Sequence, residues 1–89
     1  MEEDTKKEIK EAAALMQEVA NDRSVPRNIR AVVEEAAQKI LLKNNEGTEF
    51  SNAIYLLDDI SNDINMPSHT RTDIWQIISK LEAIKEKIK

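Results

Sequence analysis

Cysteine is absent from this 89-residue chain, and glycine occurs only once and proline twice. Without cysteine there is no disulfide framework, no thiolate metal site and no cysteine nucleophile. Small secreted domains often rely on disulfides, so an intracellular setting, the cytoplasm, is the expectation. A single glycine excludes a glycine-rich phosphate loop, and the scarcity of glycine and proline argues against a turn-rich β protein. Aromatics amount to one Phe, one Tyr and one Trp. No apolar run approaches the roughly 18 residues of a membrane span. The opening MEEDTKKEIK is charged throughout and lacks the apolar core of a signal peptide.

What is present favours helices. Glu, Lys, Ala, Ile and Leu dominate, and most of these are good helix formers. The net charge of −4 weighs against general nucleic-acid binding, which calls for a basic face. At this length one domain is expected, spanning residues 1–89 with halves 1–44 and 48–89, and its core can be only modest.

Apolar spacings of three and four predict four helices. The first spans about residues 4–21, with Ile9, Ala12, Ala13, Met16, Val19 and Ala20 on one face. The second spans about 25–44, with Ser24 as its expected N-cap and Pro26 in its first turn. Asn44, Asn45 and Gly47 predict a break, with Gly47 free to take positive φ and Thr48 capping the third helix over about 49–61. The fourth spans about 66–89 behind an Asn65 cap and Pro67. Its seam is Met66, Thr70, Ile74, Ile77, Leu81, Ile84 and Ile88, close to coiled-coil spacing.

The two halves align without gaps at an offset of 41. Ala12 falls on Ala53, Leu15 on Leu56, Asn21 on Asn62, Asp22 on Asp63, Pro26 on Pro67, Arg30 on Arg71 and Lys39 on Lys80. NDRSVPRNIR and NDINMPSHTR therefore share N-D-x-x-x-P-x-x-x-R. A two-helix period of this length is in the range of HEAT-like repeats, but two repeats are too few for a self-sufficient solenoid. The expected fold is all-α: two tandem antiparallel helical hairpins closed into one unit, by HEAT-like or bundle packing.

The residues suggest several chemistries. Asp22 with Arg30, and Asp63 with Arg71, read first as structural clasps across the joints. The functional counterpart is an anion site at the starts of the second and fourth helices, using Arg23, Arg27, Arg30 and Arg71. Asp59, Ser61, Asp63 and Asn65 imitate an EF-hand, but Ile64 and Thr70 stand where its glycine and bidentate glutamate belong. His69 is the only histidine and has no catalytic constellation around it. Glu46, Glu49, Asp58, Asp59 and Asp63 lie in a stretch, 44–70, that contains no Lys or Arg. No catalytic residue, metal or cofactor is expected.

Trp75 aligns with Glu34 and Tyr55 with Ala14, so the second half is more apolar than the first. The balance favours a widened internal core, with a dimer or partner surface as the alternative, since Trp and Tyr are enriched at interface hot spots. The fourth predicted helix, about 35 Å long, also exceeds the third, about 20 Å. Ile84 and Ile88 must then pack on the first helix, the second, or another chain. The candidate interface is accordingly Trp75, Tyr55, Ile84 and Ile88, and the expected partners are a second copy or another protein.

SVPRNIR, LDDISNDINMPSHTRTDIW and IISKLEAI resemble segments of uncharacterised protein family 0147, a group of small archaeal helical proteins. The resemblance covers about residues 9–84. It implies a small all-helical cytoplasmic protein and supplies no catalytic or binding residues. The leading functional expectation is a non-enzymatic interaction or self-assembly module; the alternative is an anion- or nucleic-acid-binding accessory protein.

Overall fold

The structure is a computed structural model that describes residues 3–41 and 47–88. It contains four helices: α1 (Glu3–Ala20), α2 (Arg27–Ile40), α3 (Gly47–Ile60) and α4 (Ser68–Lys87). Each helix packs on two others, α1 on α2 and α4, and α3 on α2 and α4, while the diagonal pairs do not meet. This closed ring is bundle packing rather than a solenoid. Two hairpins laid open would each leave an apolar face in water; closing α4 onto α1 buries both.

The stripes predicted for the first and fourth helices face the core. Ile9, Ala12, Ala13, Met16 and Val19 of α1 meet Ile29, Val33, Ala36, Ala37 and Ile40 of α2. Phe50, Ala53 and Leu57 of α3 and Ile74, Ile77, Leu81 and Ile84 of α4 close it from the other side. Val25 and Met66, in the two joints, plug one end.

The helix starts differ from expectation. Neither Ser24 nor Asn65 caps a helix through its side chain. Pro26 (φ −53°, ψ 146°) and Pro67 (φ −58°, ψ 145°) occupy the N-cap positions themselves. A proline disfavours the α region in the residue before it, so no helix can begin earlier. The prolyl carbonyls instead take the first helical bonds, from the N–H groups of Arg30 and Arg71, each at 3.0 Å. Gly47 is the first residue of α3 and its φ lies outside the left-handed region, and Thr48 stands inside that helix rather than capping it. The predicted end of the second helix beyond Leu41, with Asn44 and Asn45, lies outside the described residues.

The overhang expected of the fourth helix is also absent. The 20 residues of α4 exceed the 14 of α3, but its other neighbour, α1, has 18. The two long helices lie side by side and antiparallel, so the end of α4 is covered by the start of α1. Lys87 forms an ion pair there with Glu8. Ile84 is fully buried, and Ile88 is half-buried against the core. Ile84, expected at an interface, is therefore held inside the chain's own core. Among the described residues, no helix is long and apolar enough to cross a membrane.

Candidate functional site

Two regions concentrate the residues singled out by sequence: the end of the bundle where both joints lie, and the outer face of α3 and α4.

The joints carry the same bonds 41 positions apart. Asp22 N–H donates to Val19 O (3.1 Å), as Asp63 N–H does to Ile60 O (3.0 Å). Val25 N–H donates to Asp22 O and Met66 N–H to Asp63 O, both at 3.1 Å. Each aspartate closes an Asx turn two residues on: Ser24 N–H donates to Asp22 Oδ1 (2.9 Å) and Asn65 N–H to Asp63 Oδ1 (2.8 Å). Ser24, unable to cap α2, also donates its hydroxyl to Asp22 Oδ1 (2.7 Å).

The expected Asp–Arg clasp has a different partner. Arg30 Nε donates to Val25 O (2.9 Å). Arg71 Nε donates to Ser61 O and its Nη2 to Asp63 O, both at 2.8 Å. These carbonyls belong to joint residues outside regular helix, so the guanidinium supplies hydrogen bonds that the backbone ladder does not. The aspartates serve the turn N–H groups and the arginines serve the turn carbonyls, so the motif partners both signs of backbone polarity. Arg30 and Arg71 are thereby engaged within the fold, while Arg23 and Arg27 are exposed.

The joints also face each other. Asn28 Nδ2, at the start of α2, donates to Asp63 Oδ2 of the second joint at 3.1 Å. At the offset of 41, Asn28 corresponds to His69 and Asp63 to Asp22. The reciprocal relation is electrostatic: Asp22 is held below its ordinary value of 3.8, mainly by the two hydrogen bonds from Ser24, with smaller contributions from His69 and then Arg30. His69 thus stands where the first half has Asn28, beside the other joint's aspartate. The fold shows that Asn28 reaches across to the other joint. Because folding lowers its pKa, Asp22 stabilises the fold fully above pH 3.8, and the contribution fades as pH falls through the lowered value. Thermal melts of the wild type and Asp22→Asn should therefore differ at neutral pH, with the wild type more stable, and converge in acid below the ordinary carboxylate range. A gap that widened in acid would contradict this assignment.

The second region is apolar. Trp75 is 56% exposed and Tyr55 69% exposed, so neither widens the core as the sequence suggested. The seam residues Ile74 and Ile77 already fill the space against the other helices, and the position next to Ile74 points away from it. A shallow groove runs between α3 and α4, with Ile54, Tyr55 and Ile78 on its walls and Asp58, Glu82 and Glu86 at its edges. Trp75 is one turn before Ile78 on the same stripe of α4. Sequence reasoning missed Ile54 and Ile78 as groove residues; their half-burial follows from flanking the seam. A second groove, between α1 and α4, has Leu15, Val19 and Ile77 as its floor and Glu18, Asp22 and Asp73 at its rim. Among the described residues, no cluster of three or more metal-ligating side chains exists.

The geometry defines an antiparallel four-helix bundle with proline-capped joints at one end and an aromatic outer face. The chain matches the model of the uncharacterised protein family UPF0147 over residues 1–84, and it belongs to that family. It is 51% identical over 85 residues to the UPF0147 protein of Methanocaldococcus jannaschii, covering 93% of this chain and 91% of that one. It is 43% identical over 84 residues to a UPF0147 protein of Saccharolobus solfataricus, covering 93% and 94%. Among solved structures it resembles a UPF0147 protein from Thermoplasma acidophilum (TM-score 0.81, 36% identity, 89% and 94% covered). It also resembles the unknown-function protein MMP1188 (TM-score 0.80, 43% identity, 84% and 86% covered).

Proposed function

We propose that this protein is a non-enzymatic interaction module that self-associates through the outer face of α3 and α4. One observation carries the reading. The chain has one Phe, one Tyr and one Trp; only Phe50 is buried, and the other two are exposed on adjacent helices. Exposing large aromatics has no benefit for a monomer's stability, whereas at interfaces such side chains supply most of the binding energy. The groove between α3 and α4, walled by Ile54, Tyr55 and Ile78, adds apolar area to the same face.

Sedimentation equilibrium tests the reading. The wild type is expected to show a mass that rises with concentration above that of the monomer, and Trp75→Ala and Tyr55→Ala to shift the curve toward monomer. Both residues are exposed, so far-ultraviolet circular dichroism of the variants should remain that of the folded protein. A monomer mass for the wild type, independent of concentration, would overturn self-association.

A further inference from the structure

We propose that His69, once protonated, makes the counterpart of the Asn28–Asp63 contact: its imidazolium donates to Asp22 Oδ2 and ties α4 to the end of α1, a proton-dependent clasp between the two joints.

The two joint aspartates differ in one bond. Asp63 divides its oxygens: Oδ1 accepts from Asn65 N–H within its own joint, and Oδ2 accepts from Asn28 Nδ2 across to α2. Asp22 uses Oδ1 in the same way, for Ser24 N–H and the Ser24 hydroxyl. Its Oδ2 has no hydrogen-bond partner among the described residues. At the offset of 41 the residue matching Asn28 is His69. The backbone bonds of the two joints match as well, so His69 stands toward Asp22 as Asn28 stands toward Asp63.

Two further observations place the imidazole there. Asp22 and Asp73 line one groove between α1 and α4, and His69 is one turn before Asp73 on the same side of α4. After the two Ser24 hydrogen bonds, the His69 charge is the next influence holding the Asp22 carboxyl below its ordinary value. The charged groups around this point are mostly acidic. Glu18 and Asp22 come from the end of α1, and Asp73 from α4 itself. Arg30 of α2 turns its Nε to Val25 O, Arg71 turns to Ser61 O and Asp63 O, and Arg23 is exposed on the first joint.

The two contacts close different sides of the ring. Asn28–Asp63 joins α2 to the end of α3, and His69–Asp22 joins α4 to the end of α1. At the far end of the α1–α4 side, Lys87 and Glu8 already form an ion pair. An amide does not titrate, so the Asn28 contact is constant, whereas an ordinary imidazole gains its charge at about pH 6.5. Asp22, held below 3.8, is a carboxylate on both sides of that change. The attraction therefore stabilises the closed ring below about pH 6.5 and fades above it.

A double-mutant cycle at two pH values tests the clasp. Urea unfolding at one low protein concentration gives folding equilibrium constants for the wild type, His69→Ala, Asp22→Ala and the double variant. The Ser24 bonds lost with Asp22 cancel in the cycle. At about pH 5.5 the His69–Asp22 coupling is expected to be about two- to fivefold, the range of exposed charge pairs. At about pH 8.5 it should approach one. His69→Asn, which carries the side chain of the first half, should couple to Asp22 equally at both. A His69–Asp22 factor near one at about pH 5.5 would overturn the proposal, as would a factor that does not fall on going to about pH 8.5.

Discussion

Replacing Phe50 with alanine is expected to cost about 3–5 kcal/mol, the range for deleting a buried aromatic ring and leaving a cavity. Phe50 is wholly inaccessible to solvent and is the only aromatic in the core. Its neighbours in that core are aliphatic chains fixed on four helices, so the space cannot collapse without moving a helix against two partners. A protein of this size has roughly 5–13 kcal/mol of total stability, so the variant gives up about a quarter of it or more. Urea unfolding followed by helical circular dichroism should show a midpoint lower by about 2 M, taking a slope of roughly 1–2 kcal/mol per molar for a small domain. A shift below about 0.5 M would mean that Phe50 does not hold the centre of this core. At concentrations low enough to keep the chain monomeric, Trp75→Ala removes a larger ring but should leave the midpoint nearly unchanged, because in the single chain that ring is mostly in water.

Replacing Arg71 with alanine should produce the next largest loss, about 2–3 kcal/mol. Its guanidinium donates two hydrogen bonds to carbonyls of the second joint, and hydrogen bonds to charged groups contribute about 1.5–3 kcal/mol when partly shielded. Two such bonds do not simply add here, since the side chain is half-buried and water can replace part of what is lost. Arg30, with one bond to Val25 O, should cost less in the same measurement. Arg71→Lys should recover little, because a single ammonium cannot reach both Ser61 O and Asp63 O as the planar fork does. Equal losses for Arg30→Ala and Arg71→Ala would indicate that the arginines act through overall charge rather than through these carbonyls.

Much of the architecture was legible in the chain itself. Helix period is a local property, so the spacings of Ile9 to Val19 and of Ile74 to Ile84 identified the buried faces directly. The two N-D-x-x-x-P-x-x-x-R segments marked the joints, because proline's fixed φ and aspartate's reach to its own backbone act within a few residues. Sequence also placed the helix starts too early, at Val25 and Met66. The error came from assigning the cap to Ser24 and Asn65, when the prolines that follow them forbid a helical residue in front.

Other features depended on which helices become neighbours. Trp75 follows a core residue, and only the width of the space between α3 and α1 decides whether the next position is inside or out. Ile84 and Ile88 looked like an overhang when α4 was compared with α3; the covering helix was α1, distant in sequence. The carbonyls served by Arg71, and the reach of Asn28 to Asp63, are set by how the turn folds back and by the two joints meeting at one end. The sequence by itself determined the four helices, their apolar faces and the positions of the joints, since these follow from the backbone and its nearest neighbours. The tertiary structure alone decided which helix covers which, and so left Tyr55 and Trp75 in solvent, because closing the ring gives each helix two partners and leaves its outer face without one.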